Sequence, residues 1–236
     1  MATSGTAVWQ LTRNQLIEAA LRKIGVIGEG VTANATQLTE GAEALNTLIS
    51  EYNTLGMPLW ATTEIEVPLV AGQSVYVIGE GLAINQPYPY KLHQANLNIP
   101  GNSSRINMEI KAHYDYNNLP TNSSGTPVAV SYQPFIDYGH LSVWPTPSSS
   151  MVSGTSVYLL YQRPFDVFTS SGETPDFPSE WKNSLIYGLA LLLADEYGLP
   201  IPDKQWLEKQ AEKHLNTALS GATEEVSLFF YPNREG

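Results

Sequence analysis

Apolar positions recur with a helical period through residues 1–60. Leu16, Ile17, Ala20, Leu21 and Ile24 follow Thr12 and Gln15, which read as a capping box, and Gly25 stops the run. A second start at Asn34 with Gln37 leads into Leu38, Ala42, Leu45, Leu48, Ile49, Tyr52 and Leu55, ended by Gly56 and Pro58. The spacing predicts two helices that pack as an antiparallel pair. From Ala61 the period shortens to two. Ile65, Val67 and Leu69 alternate with Glu64, Glu66 and Pro68, and Val70 to Gln73 turn the chain into Val75–Ile78, which predicts a hairpin. Further short strands are predicted around 94–99, 109–113, 128–133, 141–144 and 156–162, separated by Gly, Pro, Asn and Ser turns.

Helical periodicity returns after a Pro- and Ser-containing connector. The run from Ser179 to Tyr197 is apolar nearly all round, at Leu185, Ile186, Leu189, Leu191, Leu192 and Leu193, so it belongs at the centre of a bundle; Gly198 and Pro200 end it. Pro202 opens a last helix carrying Leu207, Ala211, Leu215, Ala218 and Leu219, closed by Gly221. The expected fold class is α+β: a discontinuous helical bundle, with two N-terminal and two C-terminal helices, an inserted antiparallel β-rich module and an extended C-terminal tail. Its parts are 1–60 (bundle, first half), 61–165 (β-rich module), 166–178 (connector), 179–221 (bundle, second half) and 222–236 (tail).

The tail is unusual. Termini commonly fray into polar residues, yet Val226, Leu228 and Phe230 form one apolar face of a β-prone segment and Phe229 and Tyr231 the other. Burying five such side chains is worth roughly 10 kcal/mol, while ordering six backbone residues costs roughly 6 to 12 kcal/mol, so one tail barely holds. Many linked copies would hold well. Val226, Leu228, Phe229, Phe230 and Tyr231 are therefore the candidate partner-docking residues, by strand addition to a partner's sheet edge. Folding back onto the chain's own β-rich module is the other reading.

Composition narrows the functional classes. Twelve Lys and Arg against 23 Asp and Glu give a formal charge of −11, which disfavours tight contact with DNA phosphates but allows DNA to slide past a wall. Only 15% of residues are charged, which favours assembly over solitary life in solution. There is no cysteine, hence no disulfide framework, thiolate nucleophile or Cys-based zinc site. Neither a secretory signal nor a membrane span is expected, since the longest apolar run, Leu185–Ala194, is about half the roughly 20 residues a bilayer requires. The Asn34, Asn102 and Asn122 glycosylation triplets are then chance matches.

Catalytic, metal and cofactor assignments are none. His93, His113, His140 and His214 are scattered, without metal-ligand spacing. His214 lies beside the apolar stripe of the last helix and reads as a structural histidine. Gly25, Gly28 and Gly30 follow a helix, where a phosphate-binding loop would follow a strand. Glu64 and Glu66 share one strand face about 7 Å apart, within the range of inverting glycosidases. With Ile65 and Val67 facing inward, these glutamates are expected to point into solvent with ordinary pKa values. Asp195 and Glu196 sit at a helix C-terminus, unfavourable for the dipole. Trp60, Tyr88, Tyr90, Tyr114, Tyr116, Trp144 and Tyr161 could suggest a stacking platform, but core and subunit contacts are the simpler expectation, with only Lys91, Arg105, Lys111 and Arg163 nearby.

Taken in order, "LIEAALRKIGVI", "GMPLW", "VPLVAGQSVYVIG", "LSVWPTP", "LLYQRPF", "TPDFPSEW", "LIYGLALLLADEYGLP" and "VSLFFYP" resemble the head-to-tail adaptors, or tail accessory factors, of short-tailed phages. The resemblance covers nearly the whole chain and rests on the combination of segments. It implies a viral structural protein and no enzyme. The expected role is a subunit of a homo-oligomeric ring, usually dodecameric, beneath the portal protein. Such a ring extends the DNA channel, retains packaged DNA and offers a platform to the tail nozzle. Double-stranded DNA would pass without sequence-specific binding. The resemblance also implies docking of the 222–236 tail on the portal, manufacture in the host bacterial cytoplasm, residence at the head-tail junction of the virion, and no membrane partner. Alternatives are a peptidoglycan hydrolase using the glutamate pair, and a tail-tube or receptor-binding component.

Overall fold

A computed structural model describes residues 11–55 and 59–221. In chain order the helices are α1 (Arg13–Lys23), α2 (Ala35–Tyr52), α3 (His113–Asn117), α4 (Lys182–Glu196) and α5 (Ile201–Gly221). The strands are β1 (Thr62–Pro68), β2 (Val75–Ile78), β3 (Lys91–Asn98), β4 (Ile106–Asn107), β5 (Glu109–Ile110), β6 (Ser124–Gly125), β7 (Ala129–Pro134), β8 (Gly139–Trp144), β9 (Thr146–Pro147) and β10 (Ser156–Gln162). The fold is mixed α+β. It divides into two compact units, one built from the chain up to Trp60 together with the chain from Phe165 onward, the other from Ala61–Pro164.

In the helical unit both expected capping boxes form. Thr12 accepts from the Gln15 backbone N–H while Gln15 accepts from that of Thr12, and Asn34 and Gln37 repeat the exchange. Gly25, at φ 73°, ends α1 in the left-handed region that suits glycine. Helix α4 is packed by α1, α2 and α5, as its apolar circumference requires. The Tyr52 hydroxyl meets Ser184 Oγ at 2.8 Å, Leu48 lies over Gly188, and Ala44 and Leu192 share a groove, so α2 and α4 run antiparallel. Gly188 permits this approach, because a Cβ there would come within 2.9 Å of Tyr52 Oη and 3.0 Å of a Leu48 methyl. Helix α2 stops at Tyr52, short of the expected Leu55, which is exposed. Its cap residue Asn53 instead turns its side chain to the Phe165 N–H, accepting at 2.9 Å. Gly56 and Pro58, the expected stop, lie outside the described residues.

The connector is held by side chains. Glu173 accepts from the Thr169 N–H and hydroxyl, both at 2.7 Å, and from the Ser170 N–H at 3.0 Å. These donors, the backbone N–H groups first, pull its carboxyl down to about 2 from an ordinary 4.5. A depressed folded-state value means that the stabilisation is complete above 4.5 and is lost as pH falls through about 2. The Thr169 and Ser170 amide shifts, followed by NMR, should titrate with a midpoint near 2; a midpoint at 4.5 would show that the carboxylate is not gripped.

The β-rich unit corrects the hairpin expectation. Strands β1 and β2 do not pair: β1 joins β10 and β2 joins β8, in different sheets. The sheet orders are β1-β10-β3-β4 and β2-β8-β7-β5, with a separate β6-β9 pair. The turn between β1 and β2 thus passes the chain from one layer to the other, letting Ile65 and Val67 of one sheet and Tyr76 and Ile78 of the other enter a shared core with Leu97, Leu141, Val143 and Leu159. The strand expected over 109–113 also shortens. After Glu109 and Ile110 pair in parallel with β7, α3 begins at His113 and Tyr116 turns inward to donate to the Val143 carbonyl at 3.0 Å.

Candidate functional site

The glutamate pair lies where the alternation of β1 puts it, on the outer face, with Ile65 and Val67 buried behind. Neighbouring strands add polar partners. Arg105 pairs with Glu64 and lays its guanidinium 3.7 Å from the centre of the Tyr158 ring. Glu66 accepts from Ser156 Oγ at 2.5 Å. The Ser156 and Tyr158 hydroxyls hold the Glu66 carboxyl below the usual range, which corrects the expected ordinary value. A glycosidase acid needs the opposite shift, so this arrangement keeps Glu66 ionised and ties two strands and a loop together on a wet surface.

A second feature stands at the β7–β8 turn. Residues 135–138 join the strands, closed by the Phe135 N–H donating to the Tyr138 carbonyl at 2.8 Å. The Phe135 and Tyr138 rings stack at 4.9 Å, and His140 packs edge-on to Phe135 at 4.9 Å. Ile136, at the tip, is 89% exposed. Gly79 lets a second loop close on this one: a Cβ there would meet Leu82 Cδ1 at 2.8 Å and the Asp137 carbonyl at 3.1 Å. Leu82, on the loop that closes here, and Phe135 are exposed as Ile136 is, so the two loops together present an apolar knob braced by stacked rings.

No protein family and no curated protein matches the chain.

The other singled-out residues are dispersed. Trp60 stacks on Phe165 at 4.9 Å beside Phe177 and Trp181, inside the helical unit. Tyr161 is buried in the β core, where it donates to the Pro87 carbonyl and burial raises its pKa to about 12. Trp144 donates to the Pro120 carbonyl at 2.9 Å. Tyr114 on α3 is exposed, and Tyr88 and Tyr90 lie between β2 and β3. They form no common platform. His214 is half-buried and stacks on Tyr187 at 4.9 Å, as a structural histidine would. Asp195 at the end of α4 pairs with Lys204 of α5. Among the described residues, no three His, Asp or Glu side chains gather to hold a metal ion, and no helix is long and apolar enough to cross a membrane. Val226, Leu228, Phe229, Phe230 and Tyr231 lie outside the described residues.

The knob and the Arg105 and Ser156 partners were not singled out by sequence reasoning. The signal for the knob was present in Pro134-Phe-Ile-Asp-Tyr-Gly139, a turn carrying three large apolar residues. Nothing local marks Arg105 or Ser156.

Proposed function

We propose that this chain is a structural adaptor: a ring subunit seated beneath the portal of a short-tailed phage capsid, extending the DNA channel, retaining packaged DNA and carrying the tail nozzle. In this reading the helices form a discontinuous bundle, the β-rich unit is its insertion, and the 222–236 tail grips the portal. The order of segments along the chain motivates it. The observation that carries it in the geometry is the braced knob of Leu82, Phe135 and Ile136, large apolar side chains presented outward on a stiff turn. Such a surface suits contact with another protein, where buried anchors supply most of the binding energy.

The test uses purified chain and portal, observed by electron microscopy. Wild type should add a ring to the portal. Deleting 222–236 should leave the subunit folded, with an unchanged circular dichroism spectrum, and abolish attachment. Ile136→Asp should change stability by less than about 0.5 kcal/mol, as exposed substitutions do, and weaken docking of nozzle on ring. Normal attachment of the truncated chain would remove the tail's role, and binding to a host receptor in place of portal would select a receptor-binding tail component. Turnover of peptidoglycan abolished by Glu66→Gln would select the hydrolase.

A further inference from the structure

Beyond its first turn, helix α5 divides its solvent surface by charge. At about 100° per residue, Trp206, Lys209 and Lys213 fall within about 60° of one another, while Glu208 and Glu212 lie on the opposite flank. Trp206 is 52% exposed. Its ring is edge-on to Tyr187 of α4 at 6.3 Å, and the Tyr187 ring also carries the Lys23 ammonium at 5.1 Å. Three lysines and an open indole thus share one side of the helical unit, in a chain where acids outnumber bases 23 to 12. Two acids of the helical unit are matched: Glu18 pairs with Arg22 at 3.8 Å, and Asp195 with Lys204.

Across α4 the sign reverses. Nine residues beyond Tyr187, Glu196 projects about 180° away. There Glu196, Glu40 and Glu43 rim a groove of about 320 Å3 floored by Ala44 and Leu192. Helix α2 carries Glu40, Glu43 and Glu51 and no lysine or arginine. Two faces of opposite charge on opposite sides of one helical unit cannot neutralise each other within a chain, but they can between chains.

We propose that the helical unit binds a second copy of this chain head to tail. The Trp206, Lys209 and Lys213 face of α5 on one copy meets the Glu40, Glu43 and Glu196 face on the next. The indole reaches the apolar floor while the lysines meet the rim. A contact using two different faces repeats, and closes into a ring when its rotation permits. The proposal rests on the adaptor reading only in taking copies to stand side by side.

Because the chain has no cysteine, single introduced cysteines report contacts without background. Gln205→Cys and Thr47→Cys chains, both otherwise full length, are mixed with a short bismaleimide, alone and on portal. The expected result is a crosslinked heterodimer, well above a Gln205→Cys and Asn122→Cys control pair, falling several-fold as salt rises from about 50 mM to about 0.5 M. Adding Lys209→Glu and Lys213→Glu to the first chain should abolish it, and Glu40→Lys with Glu43→Lys on the second should restore it. A yield no higher than the control, or one indifferent to both reversals, would overturn the interface. Portal attachment without this crosslink rejects the interface and keeps the adaptor reading; the crosslink without portal attachment does the reverse.

Discussion

Replacing Trp181 with Ala should destabilise the helical unit by about 3 to 5 kcal/mol, the cost of truncating a large buried aromatic. Trp181 is 3% exposed and stands at the entry to α4. Its ring lies 5.9 Å from Tyr52, 5.9 Å from Trp60 and 5.6 Å from Phe177, so α2, the end of the helical unit's first chain segment and the connector all lean on it. Edge-to-face contacts of this kind add to the burial. Against a typical domain stability of about 5 to 15 kcal/mol, the loss is a large fraction. Urea unfolding followed by the helical signal at 222 nm should show the midpoint move sharply downward. Trp206→Ala, half exposed and outside this cluster, should shift the same curve by less than about 1 kcal/mol. Equal shifts for the two variants would show that the ring cluster is not the keystone of the unit.

What could be read from the chain followed the range of the interaction responsible. The capping boxes at Thr12 and Asn34 are contacts over three residues, so they were legible, as was the outward orientation of Glu64 and Glu66, which alternation alone dictates. Strand partners were not. The turn after β1 has hairpin chemistry, with Gly72 at positive φ, yet the partner of Thr62 is Gln162. Periodicity reveals that a strand is half-buried without revealing what it lies beside. The same distance hid the partners of the glutamates: Arg105 and Ser156 reach Glu64 and Glu66 only because β10 pairs with β1 and β3 and β4 follow it in the same sheet. The knob was missed for a different reason. Phe135, Ile136 and Tyr138 look in sequence like core residues, and only their exposure in the fold distinguishes an anchor from a filler.

Asn46 shows how a residue with no motif can organise a fold, and its removal is the second large effect expected. From the middle of α2 its side chain accepts from the Phe168 N–H at 2.9 Å and donates to the Phe168 carbonyl at 3.1 Å, answering both backbone groups of a residue 122 positions away. Seven residues on, Asn53 accepts from the Phe165 N–H. Seven residues of helix rise about 10.5 Å, and three residues of extended chain span about 10 Å, so the two amides match the pitch of a segment running antiparallel to α2. The buried Phe165 and Phe168 side chains seal the contact. Asn46→Ala leaves both Phe168 groups without their partner, and each stranded group costs about 1 to 3 kcal/mol, so a loss of about 2 to 5 kcal/mol is expected. Asn53→Ala, which strands one group, should cost about half as much. Because the two amides hold one rigid strip, the double variant should lose less than the sum of the singles in a urea-denaturation cycle. Strict additivity would mean that each asparagine binds its own residue and that the strip does not dock as a unit.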